Sequence, residues 1–313
     1  ANSTNEHRET AAHIGAKNGN LDIVKYLVDI DSSLWSAKDI YGNNILHLAV
    51  ENGKLPLIKY LLEDQKMNIY EPNDVNAGNT IFHIAAEKGH LTVVDYLVEV
   101  AAGDVNVRNQ LGQPPLFAAA EHQNIEVVKH LVENLHANIT LTDGNKDDVL
   151  FICTRHNKLI AFKYLLNERQ VHFNLNRRNA FGRTLACLAA KYDHYDFMKY
   201  LVGRKFVDLE IADNEGRTPL HEAAAYGNYH MVRYLCRHGA RVDAQDDDDK
   251  KPVDYASTVF ARIYLENVGK RKYRPQPRLP RSVYFGRNVR NLNAKSIFLA
   301  CRQTENGIQG NRI

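Results

Sequence analysis

Hydrophobic positions recur along this chain in short helical stripes. IVKYLV, LIKYLL, VVDYLV, VVKHLV, AFKYLL, FMKYLV and MVRYLC each place apolar residues three to four apart, the spacing of one buried helix face. About ten residues before each lies a second stretch: TAAHIGAKNGN, NNILHLAVENG, NTIFHIAAEKGH, PPLFAAAEHQN, DVLFICTRHNK, TLACLAAKYDH and TPLHEAAAYGN. A column position in these stretches falls at 13, 47, 83, 117, 151, 187 and 221, with spacings of 34, 36, 34, 34, 36 and 34 residues. Spacing this regular marks an internal repeat. Before each first helix come Asp, Asn and Gly, as in Asp39-Ile40-Tyr41-Gly42 and Asp213-Asn214-Glu215-Gly216, which is turn chemistry. One unit therefore predicts a projecting turn, a short helix, a tight turn, a longer helix and a loop.

Two residues after the column comes a small pair: Gly15-Ala16, Ala49-Val50, Ala85-Ala86, Ala119-Ala120, Cys153-Thr154, Ala189-Ala190 and Ala223-Ala224. Small side chains let the first helices of successive units stack closely. No unit can bury its apolar face alone, so stability is expected from nearest-neighbour stacking.

The tetrapeptide Thr218-Pro219-Leu220-His221, the following alanines and Gly227 resemble the ankyrin repeat family. The resemblance covers residues 7–265 as seven repeats and a shortened eighth, KPVDYASTVFARIYLENV, in which Asp254 replaces the column His. It implies an all-α solenoid of about seven helix-turn-helix repeats with projecting turns, closed by a C-terminal cap. Repeats five and six depart most, with Phe151 and Cys187 in the column and Asp148 in the Thr position. The resemblance also implies that His13, His47, His83 and His221 tie adjacent turns by hydrogen bonds.

Charge divides the chain. Residues 266–313 hold 11 Lys/Arg against 2 Asp/Glu, while residues 1–265 hold 29 against 35, so an acidic array (1–265) precedes a basic tail (266–313). Within the tail, residues 270–290 mix basic residues with Pro275, Pro277, Pro280 and the aromatic Tyr273, Tyr284 and Phe285. That mixture fits a Pro-rich linker or strap, or the start of a further region. Its alternative is a contact with nucleic acid or anionic membrane. No run reaches the ~20 apolar residues of a membrane-spanning helix. The polar N-terminus lacks a secretory signal, and its initial Ala suits a trimmed or partial chain. Cys153, Cys187, Cys236 and Cys301 form no C-x-x-C pair, so a reducing, cytoplasmic setting is the expectation.

Candidate chemistry is sparse. His221-Glu222 begins an H-E-x-x-H pattern, but position 225 is Ala. Asp246 to Asp249 lack the Gly and Glu of a calcium loop and fall where a turn belongs. Phosphate-binding glycine motifs are absent. No catalytic residue, metal or cofactor is expected, and the reading is a monomeric protein-binding scaffold rather than an enzyme. The alternative is a regulatory or targeting fragment of a larger multidomain enzyme. Thirty Asn residues and drifting repeats would also suit a bacterial effector acting in host cytoplasm or nucleus.

In the family, the turn tips and exposed first-helix residues line a concave binding surface. Carried over by position, these are Ile40, Tyr41, Asn43, Glu51 and Asn52 in repeat two. Repeat three gives Asn76, Ala77, Asn79, Glu87 and Lys88, and repeat four Gln110, Leu111, Gln113, Glu121 and His122. Arg155, His156, Phe181, Arg183, Lys191, Tyr192, Arg217, Ala225 and Tyr226 follow in repeats five to seven. Aromatic and Arg side chains are the usual binding anchors. The expected hot spot therefore lies in repeats five to seven, for an acidic or extended segment of a protein partner; the alternative is that these side chains pair with acidic neighbours on the same face.

Overall fold

A computed structural model describes residues 3–73, 77–100, 103–167, 173–204 and 207–270. Among these residues there are helices and turns and no strand. The first helices are Ala11–Asn18, Ile45–Glu51, Ile81–Lys88, Pro115–Glu121, Val149–Arg155, Leu185–Lys191 and Pro219–Ala225. Their second helices are Leu21–Ile30, Leu55–Lys59, Leu91–Asp95, Ile125–Glu133, Leu159–Asn167, Tyr195–Gly203 and Tyr229–Arg237. In repeats two and three the second helix widens into a π turn, Tyr60–Asp64 and Tyr96–Val100. A 3-10 turn, Pro252–Tyr255, and a last helix, Val259–Lys270, form the cap.

Each first helix starts where its sequence supplies a cap. Thr10, Thr80 and Thr218 pair reciprocally with the column His three residues on, whose ring replaces the usual Glu of a capping box. Asp148, the departure in repeat five, caps equally well: its Oδ1 accepts from the Leu150 and Phe151 amides at 3.0 and 3.1 Å.

The column His does hold neighbouring repeats together. Thr10 and Thr218 amides donate to Nδ1 of His13 and His221, both at 3.1 Å. That leaves Nε2–H to donate onward, to the carbonyl of Ala37 (3.2 Å) from His13 and of Lys250 (3.2 Å) from His221. His47 and His83 reach Glu71 and Gln113 carbonyls in the same way, at 3.0 and 2.8 Å. Desolvation holds all four imidazoles below their ordinary pKa, His83 down to about 4, as a neutral ring donating to a carbonyl requires. Cys187 keeps a weak version of this tie, its Sγ 3.8 Å from the Ile211 carbonyl. Phe117 and Phe151 replace it by packing, each 1% exposed.

Stacking buries the second helices. Leu57, Val93, Val127, Ala161, Phe197 and Met231 occupy one repeat position and are at most 2% exposed. Phe162 and Phe197 meet edge to face across repeats five and six, centroids 4.8 Å apart. The same position in repeat one is Ile23, which is 50% exposed beside Ile14 at 46%. At the other end Arg262 stands exposed where Val24, Ile58, Val94, Val128, Phe162, Met198 and Val232 are buried.

Candidate functional site

The projecting turns, or fingertips, are built by one Asx side chain each. Asp39 Oδ1 accepts from the Tyr41 and Asn43 amides, both at 2.8 Å. Asn109, Asp143, Asn179, Asp213 and Asp246 repeat that pair of bonds in their own turns at 2.8–3.0 Å. A backbone ladder then joins successive tips. Amides of Ile40, Gln110, Gly144, Ala180, Asn214 and Asp247 donate to the carbonyls of His7, Ala77, Leu111, Asn145, Phe181 and Glu215, at 2.8–3.2 Å. These bonds fix the tips of repeats one and two in register, and likewise those of repeats three to eight; the equivalent position in repeat three, Asp74, lies outside the described residues. Asp246 to Asp249 form one such tip, with Asp246 buried and accepting from the Tyr255 hydroxyl at 2.6 Å.

Behind the tips a second set of side chains crosses each seam between repeats. In the early repeats it is neutral: Asn73 donates to Asn43 (3.3 Å) and Asn109 to Asn79 (2.8 Å). Later it becomes charged. Asn179 donates to Asp147 at 2.8 Å, and Arg155 pairs with the other Asp147 oxygen. Arg183 Nε lies 3.6 Å from Asp213 and its Nη2 3.9 Å from Glu222, while Arg217 lies against Asp213 and Glu215. Burial raises the pKa of Asp147 and Glu222, with the neighbouring guanidinium opposing it in both cases.

The residues expected to bind a partner therefore separate into two kinds. Tyr41, Phe181, Tyr192 and Tyr226 are 49%, 49%, 43% and 58% exposed. Arg155, Arg183 and Arg217 are engaged with carboxylates, and their side chains are only 18–25% exposed. His156 lies 3.5 Å from Glu121, and Lys191 sits 5.9 Å from the Tyr192 ring centroid. At the opposite end of the same face, Lys17, Asp39, Tyr41, Asn43, Leu48 and Glu51 line an open groove of about 270 Å³. Asn76 and the tail from 271 onward lie outside the described residues, and so does the nucleic-acid or membrane contact read from the tail.

Pairing with acidic neighbours was the alternative reading of these arginines, but sequence position did not name the partners, Asp213 and Glu222, which lie 30 and 39 residues after Arg183. A second set of ties between repeats went unread. His90 reaches the Glu51 carbonyl (2.9 Å), His194 the Arg155 carbonyl (3.0 Å) and Asn124 the Ala86 carbonyl (3.0 Å). Their signal was a polar residue at the first position before each second helix.

Burial pushes the Cys187 thiol up to about 11, Cys236 up to about 12 and Cys153 higher still, so none is a thiolate at neutral pH. Among the described residues, no three His, Cys, Asp or Glu side chains converge as a metal site.

The sequence profile described as ankyrin repeats (three copies) matches residues 1–72, 65–143 and 150–246. Similar stretches occur in large proteins. Alpha-latrocrustotoxin-Lt1a of Latrodectus tredecimguttatus is 37% identical over 87 residues, 28% of this chain and 6% of the toxin. BCL-6 corepressor-like protein 1 of Mus musculus is 35% identical over 72 residues, 23% of this chain and 4% of that protein. Inhibitor of Bruton tyrosine kinase of Xenopus laevis is 33% identical over 78 residues, 25% of this chain and 6% of that protein. The chain thus spans only a small part of the length of each. With the profile matching over more than half of its residues, in the register of the column and the paired helices, the chain belongs to the ankyrin repeat family.

Proposed function

We propose that this array binds a protein partner on its concave face and performs no chemistry itself, with the exposed aromatics of repeats six and seven as anchors. Ankyrin repeats are a protein–protein interaction module, and the reading adds a place and a chemistry to that. The observation that carries it is the contrast on one face: Phe181, Tyr192 and Tyr226 stand about half exposed beside guanidinium groups held by carboxylates. Rings of this kind bury large area at small entropic cost. Because Arg183 and Arg217 are already compensated, an extended segment suits this seam better than a strongly acidic one. The partner meets a monomer in this reading.

A cytoplasmic site of action rests on Cys153, Cys187 and Cys236, which are free and buried in three different repeats. The narrower form, an effector in a host cell, rests on the asparagine-rich composition and drifting repeats alone.

The test is quantitative affinity for a partner captured by the full chain and identified by mass spectrometry. Tyr192→Ala and Tyr226→Ala should each cost ~2 kcal/mol or more in binding, with the melting temperature unchanged. Unaltered affinity in those variants and in Arg183→Ala would overturn the assignment.

A further inference from the structure

From repeat two to repeat seven the fingertips alternate with a period twice that of the repeat; the eighth tip, with Gln245 and Asp248 at the same places, ends the alternation. At the position before the left-handed turn residue, repeats two to seven read Tyr41, Ala77, Leu111, Asn145, Phe181 and Glu215. The position before each Asx reads Lys38, Pro72, Arg108, Thr142, Arg178 and Ala212. Repeats two, four and six thus present a large apolar residue with a cation, and repeats three, five and seven present neither. Tyr41, Leu111 and Phe181 are spaced 70 residues apart, as are Lys38, Arg108 and Arg178. Stacking does not explain the alternation, because the three apolar side chains are 49%, 53% and 49% exposed and lie at the tips, away from the core.

The cations brace the same tips. Arg108 Nη1 donates to the Gly112 carbonyl (2.9 Å) and forward to the Thr142 carbonyl (2.7 Å). Arg178 repeats this from Nε to the Gly182 carbonyl (2.9 Å) and from Nη2 to the Asn214 amide oxygen (2.9 Å). These acceptors are neutral, so each exposed guanidinium keeps its charge. This differs from Arg183 and Arg217, whose charge is spent on carboxylates. The backbone ladder fixes the tips from Leu111 to Phe181 in register, so that stretch of the row is pre-organised, which lowers the ordering cost of binding.

We propose that Tyr41, Leu111 and Phe181 form a docking row for one extended segment of a protein partner, in which an apolar side chain with a neighbouring carboxylate recurs once every two repeats. The inference rests on the array being a protein-binding module and adds the chemistry and spacing of what it binds. Packed helices lie ~8–10 Å apart, so two repeats span about 16–20 Å. An extended chain advances ~3.3 Å per residue, which sets the interval at about five or six residues. A helical partner would lay a continuous apolar stripe across Ala77 and Asn145, which offer it no matching surface. Isolated anchors suit an extended chain. Carboxylates beside the second and third anchors complement Arg108 and Arg178, while at the first tip Lys38 already lies 3.7 Å from Glu71.

The probe is a fluorescein-labelled synthetic peptide carrying three Trp-Asp pairs at intervals of about six residues in a Gly/Ser background, titrated against the full chain by anisotropy. Controls place the pairs at intervals of about three or nine residues, replace Asp by Lys, or put the same pairs on a helical scaffold with a matching rise. The six-residue peptide should bind about tenfold or more tightly than every control and weaken as salt rises. Leu111→Ser and Phe181→Ser should each lower its affinity about tenfold, with circular dichroism and melting unchanged. Spacing-independent binding, a stronger helical or Lys peptide, absence of binding, or indifference to both Ser variants would overturn the row. Tyr192→Ala and Tyr226→Ala, measured on the captured partner, report separately on the concave-face reading, so the two can fail independently.

Discussion

The amide side chains joining repeats two to four and the charged groups joining repeats five to seven occupy the same positions of the repeat. Asn43 and Asn79 accept from Asn73 and Asn109. At the equivalent places Asp147 accepts from Asn179, and Arg183 lies against Asp213. A neutral amide pair loses little when buried and gains one ordinary hydrogen bond. A buried ion pair must offset the desolvation of both charges, and removing one partner leaves the other uncompensated. The two halves of the array thus do the same joining with different sensitivities; the charged half carries the exposed Phe181, Tyr192 and Tyr226, and the neutral half Tyr41.

The largest expected effect breaks a charged seam. Asp213 is buried, receives two fingertip amides and faces both Arg183 and Arg217. Asp213→Ala should lower the unfolding free energy in urea by ~3–5 kcal/mol. Asn109→Ala, its counterpart in the amide seam, should cost about 1–3 kcal/mol. Equal losses would remove the distinction between the seams.

Acid should act on a different division of the array. His13, His47, His83 and His221 are held below the ordinary imidazole pKa by burial, His83 at about 4. An unfolded imidazole takes its proton near 6.5, so the stability these rings contribute is present above about pH 6.5 and is lost as pH falls toward the folded values. Asp147, Asp148 and Glu222 are shifted upward by burial and work in the opposite sense, being relieved as they protonate. Repeats four and five carry Phe117 and Phe151 in the column and lack the column imidazole, but burial also holds His156 of repeat five below its ordinary pKa. Hydrogen exchange between pH 7 and 5, corrected for intrinsic rates, should show protection falling in repeats one to three and seven before repeat four. A uniform fall would contradict this, and His83→Phe should flatten the response of repeat three.

The smallest effect concerns Glu222. Its position holds Leu48, Ile84, Ile152 and Leu188 in other repeats, all buried against the preceding unit. Glu222→Leu should be neutral or stabilising on the order of 1 kcal/mol, measured as a rise in melting temperature. A marked loss would mean that the carboxylate holds Arg183 in place more firmly than its 3.9 Å separation indicates.

The repeat was legible because it is written in composition and spacing together: the column, the small pair and the second-helix stripe each fix the same register. Asp148 was harder, since it departs from the pattern by type while keeping the capping function. The candidate surface was legible in outline only. Position within the repeat gave exposure correctly for Tyr41, Phe181, Tyr192 and Tyr226. It could not give pairing, because whether Arg183 faces solvent or Asp213 depends on how the next repeat lies against it. The fingertip alternation was present in the letters at positions 41, 111 and 181, and only the exposed geometry of the tips gives it meaning.

The first and last described helix pairs of the stack differ at single repeat positions. Arg262 stands exposed where other units bury Val, Ile, Phe or Met, on a helix that also exposes Val259, Phe260 and Ile263, while Ile23 stands exposed where other units bury Leu, Val, Ala, Phe or Met. As a building material the array is therefore directional, its two faces not interchangeable. An engineer could lengthen it by splicing a unit ahead of residue 11 without redesigning the junction. Extension beyond residue 258 would first require Arg262 to be made apolar.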